Sequence, residues 1–282
     1  MPSPRRFGTV FNSVAAEYDR HRPGYPGQLI DAACGAAGLG PGDPVLEVGC
    51  GTGQLTRALV ARGLRITAVE PGGHLLDLAR RNLGDEAPAE FINARLEDAR
   101  LARAAFRAVF SASAFHWIDP DVGWERVAEA LAPGGVLGLI SYFGLSEERS
   151  ADDEWALREA MARIAPDIAA EVPRYRALET ILAGVEERRG NVSEVWSWLG
   201  AYDMTRESAA GLFEDVRVAT VPILVEQTAD ELNALLGTMS VWSRLSSGQR
   251  DALVAEHEAL YEQRGRPIQS SVVACLVTAR RA

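Results

Sequence analysis

The segment from Pro44 to Arg57, PVLEVGCGTGQLTR, sets three glycines, Gly49, Gly51 and Gly53, behind an apolar run that holds one carboxylate, Glu47. Glycine serves where a backbone must turn tightly or approach a ligand closely. A glycine turn that opens into a helix aims N–H groups and the positive end of the helix dipole at a polar or anionic ligand. A second acid, Glu70, ends the apolar stretch ITAVEP. A carboxylate in that place can accept hydrogen bonds from two vicinal ribose hydroxyls. Turn and acid together call for a nucleoside. The alternative for Glu70, a solvated helix-capping acid, sits poorly at the end of an apolar strand. The spacing is G-x-G-x-G, and Gln54 stands where the dinucleotide turn G-x-G-x-x-G has its third glycine. His116, in SAFHWIDP, is the candidate base, because imidazole titrates near neutrality. Its alternative is a packing or hydrogen-bonding histidine. His74 and His257 fall on helical patterns and read as structural.

These groups need elements to hold them. PVLEVG reads as a short buried strand and QLTRALVARG as a helix ending at Gly63. LRITAVE, AEFINA, FRAVFSAS and VLGLISY read as further strands, with HLLDLARRNL and VGWERVAEAL as helices between them. Such alternation implies βαβ units and a parallel sheet covered by helices on both faces. Sheets of this kind bind ligands at the carboxyl ends of their strands. Residues 146–210 change texture: they are rich in Ala, Glu and Arg, carry Trp155, Trp196 and Trp198, and lack a convincing strand. They read as a helical cap inserted between a core of residues 1–145 and a returning part, 211–282. LFEDVRVATVPILVE and SSVVACLVTARR then supply two more strands, with two helices between them. The expected fold is α/β, with seven strands.

Composition narrows the classes. The chain has 282 residues, 47% hydrophobic and 24% charged, which suits one large domain with an insertion. It has no run of eighteen apolar residues, so no membrane span is expected. The start, MPSPRRFGTVFN, is basic without an apolar core behind it, so no signal peptide is expected. Cys34, Cys50 and Cys275 are too scattered for a disulfide framework or a zinc site, and read as reduced thiols of a cytoplasmic protein. The net charge is −10 and no basic tract stands out, so nucleic acid is not an expected partner. All basic residues are arginine; without lysine there is no Schiff-base chemistry and no lysine-dependent phosphate loop.

VLEVGCGTGQL, ITAVEP and LAPGGVL together resemble the class I S-adenosylmethionine-dependent methyltransferases, over residues 7–143. FNSVAAEYDRHRPGYP, SAFHWIDP and LLGTMS are similar to the trans-aconitate methyltransferase-like branch. The resemblance implies a Rossmann-like fold, S-adenosyl-L-methionine as cofactor and a small-molecule acceptor. It implies that Gly49, Gly51 and Gly53 line the methionine and ribose part of the cofactor and that Glu47 organises the turn. Glu70 would bind the ribose, Pro71 would lie beside the adenine, and Leu96 and Glu97 would meet the adenine edge. Ser111 and Ser113 would lie under the methionine end, and Tyr18 and Arg22 would close the site. His116 and Trp117, with Tyr18, Trp196 and Trp198, are the expected acceptor pocket; Trp196 and Trp198, with Tyr202 beside them, could wall an apolar or aromatic acceptor, the alternative being that they form the insertion's own core. No metal is implied. A cyclase, a pericyclase or a cofactor-binding protein on the same fold is the alternative, because fold does not fix function. The acceptor atom and the oligomeric state are not specified by these residues.

Overall fold

The structure is a computed structural model that describes residues 11–282; the basic N-terminal stretch lies outside the described residues. Seven strands form one sheet: β1 (Pro44–Val48), β2 (Arg65–Val69), β3 (Ala89–Ile92), β4 (Phe106–Ala112), β5 (Leu131–Gly144), β6 (Phe213–Gln227) and β7 (Ile268–Arg281). Their order is β3-β2-β1-β4-β5-β7-β6. The first five run parallel, and β7 lies antiparallel between β5 and β6. The order reverses between β1 and β4, which opens a crevice at their carboxyl ends. β1 is apolar at successive positions because both its faces are covered: Val45 and Leu46 are fully buried on opposite sides.

The early helices are α1 (Ala15–His21), α2 (Gly27–Ala36), α3 (Gln54–Val60), α4 (Gly73–Leu83) and α5 (Pro120–Ala130). Asp119 starts α5, its side chain accepting the Asp121 N–H at 3.1 Å, with Pro120 at the first helical position. Between β5 and β6 come α6 (Ala151–Ile164), α7 (Pro166–Ala169), α8 (Leu178–Glu186), α9 (Val192–Gly200) and α10 (Ser208–Leu212). Between β6 and β7 come α11 (Ala229–Gly237), α12 (Ser240–Ser243) and α13 (Ser247–Arg264). Reciprocal capping boxes, Thr228 with Glu231 and Ser246 with Gln249, start α11 and α13.

Residues 146–210, the expected cap, pack in two groups. Val192, Val195, Trp196 and Leu199 of α9, with Ile181 and Val185 of α8, share one core with α5, β5 and β7. They belong to the covering of the sheet. Ala160, Ala165 and Ile168, from α6 to α7, instead pack with Trp242, Leu245 and Leu253 from α12 to α13. Asp153, its side chain fully buried, pairs with Arg264 at 2.8 Å and Arg266 at 2.7 Å and fixes this outer group to the start of β7. Leu29, Ile30, Leu55, Leu59 and Leu76 of α2, α3 and α4 form a second core.

Candidate active site

All three turn glycines are left-handed, with φ of 73° at Gly49, 57° at Gly51 and 90° at Gly53. An added Cβ on Gly49 would lie 2.3 Å from the Cβ of Ala114, so the turn lies directly against the loop after β4. Gly53 does a different job. Its Cβ would meet Leu83 at 3.0 Å and Ala79 at 3.5 Å, so it lets α3 pack closely on α4. It does not face the crevice.

Glu70 ties two turns together. Its Oε2 accepts the Gly51 N–H at 3.1 Å and its Oε1 accepts the Gly72 N–H at 2.8 Å. The side chain is buried, and burial raises its pKa against the opposing pull of those two N–H groups. The Asn93 amide donates to the carbonyls of Glu70 at 2.8 Å and Pro71 at 3.1 Å, fixing the next loop. Glu47 lies beneath the turn, 1% exposed, with a partnerless Oε2. Burial pushes its carboxyl up to about 8, although Thr56 beside it pulls the other way.

A cavity of about 430 Å³ opens above these groups. Gly49, Gly51, Glu70, Pro71, Arg95, Leu96 and Glu97 line it on the β1–β3 side. Burial would raise the Glu97 pKa, but Arg95 at 2.8 Å and the Asp119 N–H at 2.9 Å outweigh it and hold the carboxylate ionised. Ser113, His116, Trp117, Ser141, Tyr142 and Tyr202 line the β4–β5 side, with Met239, Ser240 and Val241. Phe11, Tyr18 and Arg22 complete the wall. Arg22 donates to the Thr238 hydroxyl and carbonyl, both at 2.9 Å, joining the end of α1 to the end of α11. Its guanidinium lies 5.0 Å from the centre of the Tyr18 ring.

His116 sits in a short 3-10 turn, Phe115–Trp117. Its ring stacks on Tyr202, centroids 4.4 Å apart and planes 5° from parallel, and lies 4.8 Å from Trp117. Its Nδ1 is buried without a hydrogen-bond partner. Burial, then the charge of Arg22, lowers its pKa to about 3, so the imidazole is neutral at ordinary pH.

Eleven expected site residues therefore face the cavity: Tyr18, Arg22, Gly49, Gly51, Glu70, Pro71, Leu96, Glu97, Ser113, His116 and Trp117. Five do not line it. Glu47 and Gly53 lie as described, and Ser111 donates to the Val48 carbonyl at 2.8 Å between β4 and β1. Trp196 is fully buried in the sheet covering. Trp198 lies between Arg176 and Arg188, 4.1 and 4.4 Å from its ring centre, and donates to the Ile181 carbonyl at 3.0 Å. Of the aromatic group Trp196, Trp198 and Tyr202, only Tyr202 lines the cavity, and Met239–Val241 line it beside Tyr202.

Residues 45–135 match the methyltransferase domain family. A methyltransferase of Mycobacterium tuberculosis, itself uncharacterized, is 38% identical over 138 residues, covering 49% of this chain and 54% of that protein. The chain spans about half the length of the first curated relatives it matches. Among solved structures, a protein of Anaeromyxobacter dehalogenans with the provisional name type II methyltransferase superposes with a TM-score of 0.58. It is 20% identical, covering 92% of this chain and 97% of that one. The fold is that of a class I methyltransferase. A phosphoethanolamine N-methyltransferase of Haemonchus contortus, bound to S-adenosylhomocysteine and phosphomonomethylethanolamine, has the same fold at a TM-score of 0.50 and 16% identity, over 96% of this chain and 57% of its own.

Proposed function

We propose that this protein is an S-adenosylmethionine-dependent methyltransferase acting on a small-molecule acceptor. The observation that carries the reading is the Glu70 carboxylate, buried at the carboxyl end of β2 and bonded to the N–H groups of Gly51 and Gly72. That arrangement leaves a prepared polar edge beside a left-handed glycine turn, with Gln54 in place of the dinucleotide glycine. The residues fit the cofactor: Glu70 would accept from ribose hydroxyls, Pro71 and Leu96 would give an apolar slot for adenine, and Glu97 would receive its polar edge. Glu47, buried beneath the turn with its carboxyl raised to about 8, is held in its protonated form and would offer a hydrogen-bonding group from below.

When bound, S-adenosylmethionine supplies an electrophilic methyl group on a sulfonium. What the chain must add is position and dryness. Tyr18, Arg22 and Phe11 close one side of the cavity, and Trp117, Tyr142 and Tyr202 wall the other. Neutral His116 accepts one hydrogen bond from the acceptor's nucleophilic group and orients it for in-line displacement. Its low pKa suits positioning better than full proton removal. The acceptor side has one cation, Arg22, and no carboxylate among the described lining residues, which suits a neutral or anionic acceptor. The likeness to the trans-aconitate methyltransferase-like branch rests on FNSVAAEYDRHRPGYP, SAFHWIDP and LLGTMS.

The test is incubation with methyl-labelled S-adenosylmethionine and fractionated small-molecule extracts. Transfer of label with matching release of S-adenosylhomocysteine supports the reading. Tight binding of the cofactor with no transfer to any fraction favours a cyclase, a pericyclase or a non-catalytic binding protein.

A further inference from the structure

A histidine used in chemistry is usually oriented by a hydrogen bond on its second nitrogen. Among the described residues His116 has no such partner on Nδ1. Its ring is instead held flat against Tyr202, at 4.4 Å and 5°. The chain goes to some trouble to bring Tyr202 there. α9 ends at Gly200, and the next residue, Ala201, is left-handed with φ of 53°, although it is not glycine. That turn throws Tyr202 back across the helix end, where its N–H donates to the Ser197 carbonyl at 3.1 Å. A Cβ on Gly200 would fall 2.1 Å from the Tyr202 ring, so only glycine fits there with the tyrosine in place. Behind the ring, Trp196 at 5.9 Å and Phe143 at 6.3 Å back it from the core. Its hydroxyl interacts with Ser141 on β5, whose own hydroxyl lies 3.5 Å from that of Ser113.

We propose that Tyr202 is a positioning residue for methyl transfer: its ring, fixed by Gly200, Ala201 and the aromatic backing, sets the plane of the His116 imidazole that meets the acceptor. This rests on the methyltransferase reading given above. Stacking fixes the plane of the imidazole while Nδ1 has no partner among the described residues to dictate the tautomer. The ring can then accept a hydrogen bond from a hydroxyl or amine acceptor without first breaking another.

The experiment uses the full chain with histidine side chains labelled with ¹⁵N and ¹³C; the four histidines of the sequence give a simple spectrum. Spectra are taken with and without S-adenosylhomocysteine for the unsubstituted protein, Tyr202→Phe and Tyr202→Leu. Turnover is followed with labelled S-adenosylmethionine and the extract fraction that supports it. Tyr202→Leu is expected to remove the Tyr202 share of the ring-current shift of the His116 Cε1 proton, leaving that of Trp117, and to lower turnover at saturating cofactor at least tenfold. Its dissociation constant for S-adenosylhomocysteine should stay within twofold. Tyr202→Phe keeps the stack and loses only the hydroxyl, so it should keep the shift and recover turnover to within about threefold. An unmoved His116 signal in Tyr202→Leu overturns the proposal, whatever happens to turnover. So does loss of turnover in Tyr202→Phe as large as in Tyr202→Leu. If Tyr202→Leu does not fold, Tyr202→Met, which keeps bulk against Trp196 and Phe143 without a ring, takes its place with the same deciding outcomes. Failure of the unsubstituted protein to bind S-adenosylhomocysteine defeats the methyltransferase reading, and with it the role given to the stack; the ring-current shift would survive and mark that failure as separate.

Discussion

The neutral state of His116 can be tested without knowing the acceptor. With its pKa lowered to about 3 by burial and by Arg22, the folded chain leaves this imidazole unprotonated at pH 5. The unfolded chain, with a histidine near 6.5, binds the proton. Between these values the unfolded state holds more protons, so stability from this group falls as pH falls from about 6.5 towards 3. From pH 7 to pH 5 the linkage relation gives ~2 kcal/mol, and solvent reaching the partly exposed ring reduces this to about 1–2 kcal/mol. The whole protein will not report it alone. His257, held near 4 by burial, acts in the same direction, while Glu47, at about 8, and the raised Glu70 act in the opposite one. The comparison with His116→Gln isolates the term. Urea unfolding of both proteins at pH 7 and pH 5 should show the unsubstituted protein losing about 1–2 kcal/mol more than the variant over that interval. A difference that stays constant within about 0.5 kcal/mol would mean that His116 titrates normally, and the positioning role derived from its neutrality would fall.

Two other changes probe the frame. Glu70→Gln replaces the charged acceptor of two backbone N–H groups, and S-adenosylhomocysteine binding should weaken by about 1.5–3 kcal/mol, some 10- to 150-fold; calorimetric affinity within twofold of the original would remove Glu70 from the cofactor site. Trp198→Ala should lower stability by about 2–4 kcal/mol in chemical unfolding, because the ring is packed between Arg176 and Arg188, yet leave S-adenosylhomocysteine affinity unchanged; a selective loss of affinity without loss of stability would place the ring in the site after all.

The turn and the acids expected to hold the cofactor could be read from the sequence because their pattern is local. Gly49, Gly51 and Glu70 stand at the ends of short strands whose apolar runs announce them, and a βαβ pattern brings those ends together. The acceptor half is not local. The tryptophans of VSEVWSWLG admit a pocket wall or a packed core, and the spacing of Val192, Val195, Trp196 and Leu199 at i, i+3, i+4 and i+7 agrees with the core. That is the stripe of a helix lying on a core, and it buries Trp196 fully. Periodicity shows that a helix has an apolar face without saying which element covers it. Tyr202 reaches the cavity through a left-handed alanine, a conformation that the residue type does not announce; the preceding glycine was the available clue. Met239–Val241 reach it across the whole length of the chain, through the Arg22–Thr238 contact, which no local pattern encodes.

The central claim is that the crevice above Glu70 binds the methyl-donor nucleoside and not a dinucleotide. Isothermal titration of the full chain with S-adenosylhomocysteine, and separately with NAD⁺, tests it directly. The expected result is saturable one-to-one binding of S-adenosylhomocysteine, reduced in Glu70→Gln, and no saturable heat with NAD⁺ at the same concentrations. Tighter binding of NAD⁺, or S-adenosylhomocysteine binding that ignores Glu70→Gln, would contradict the account.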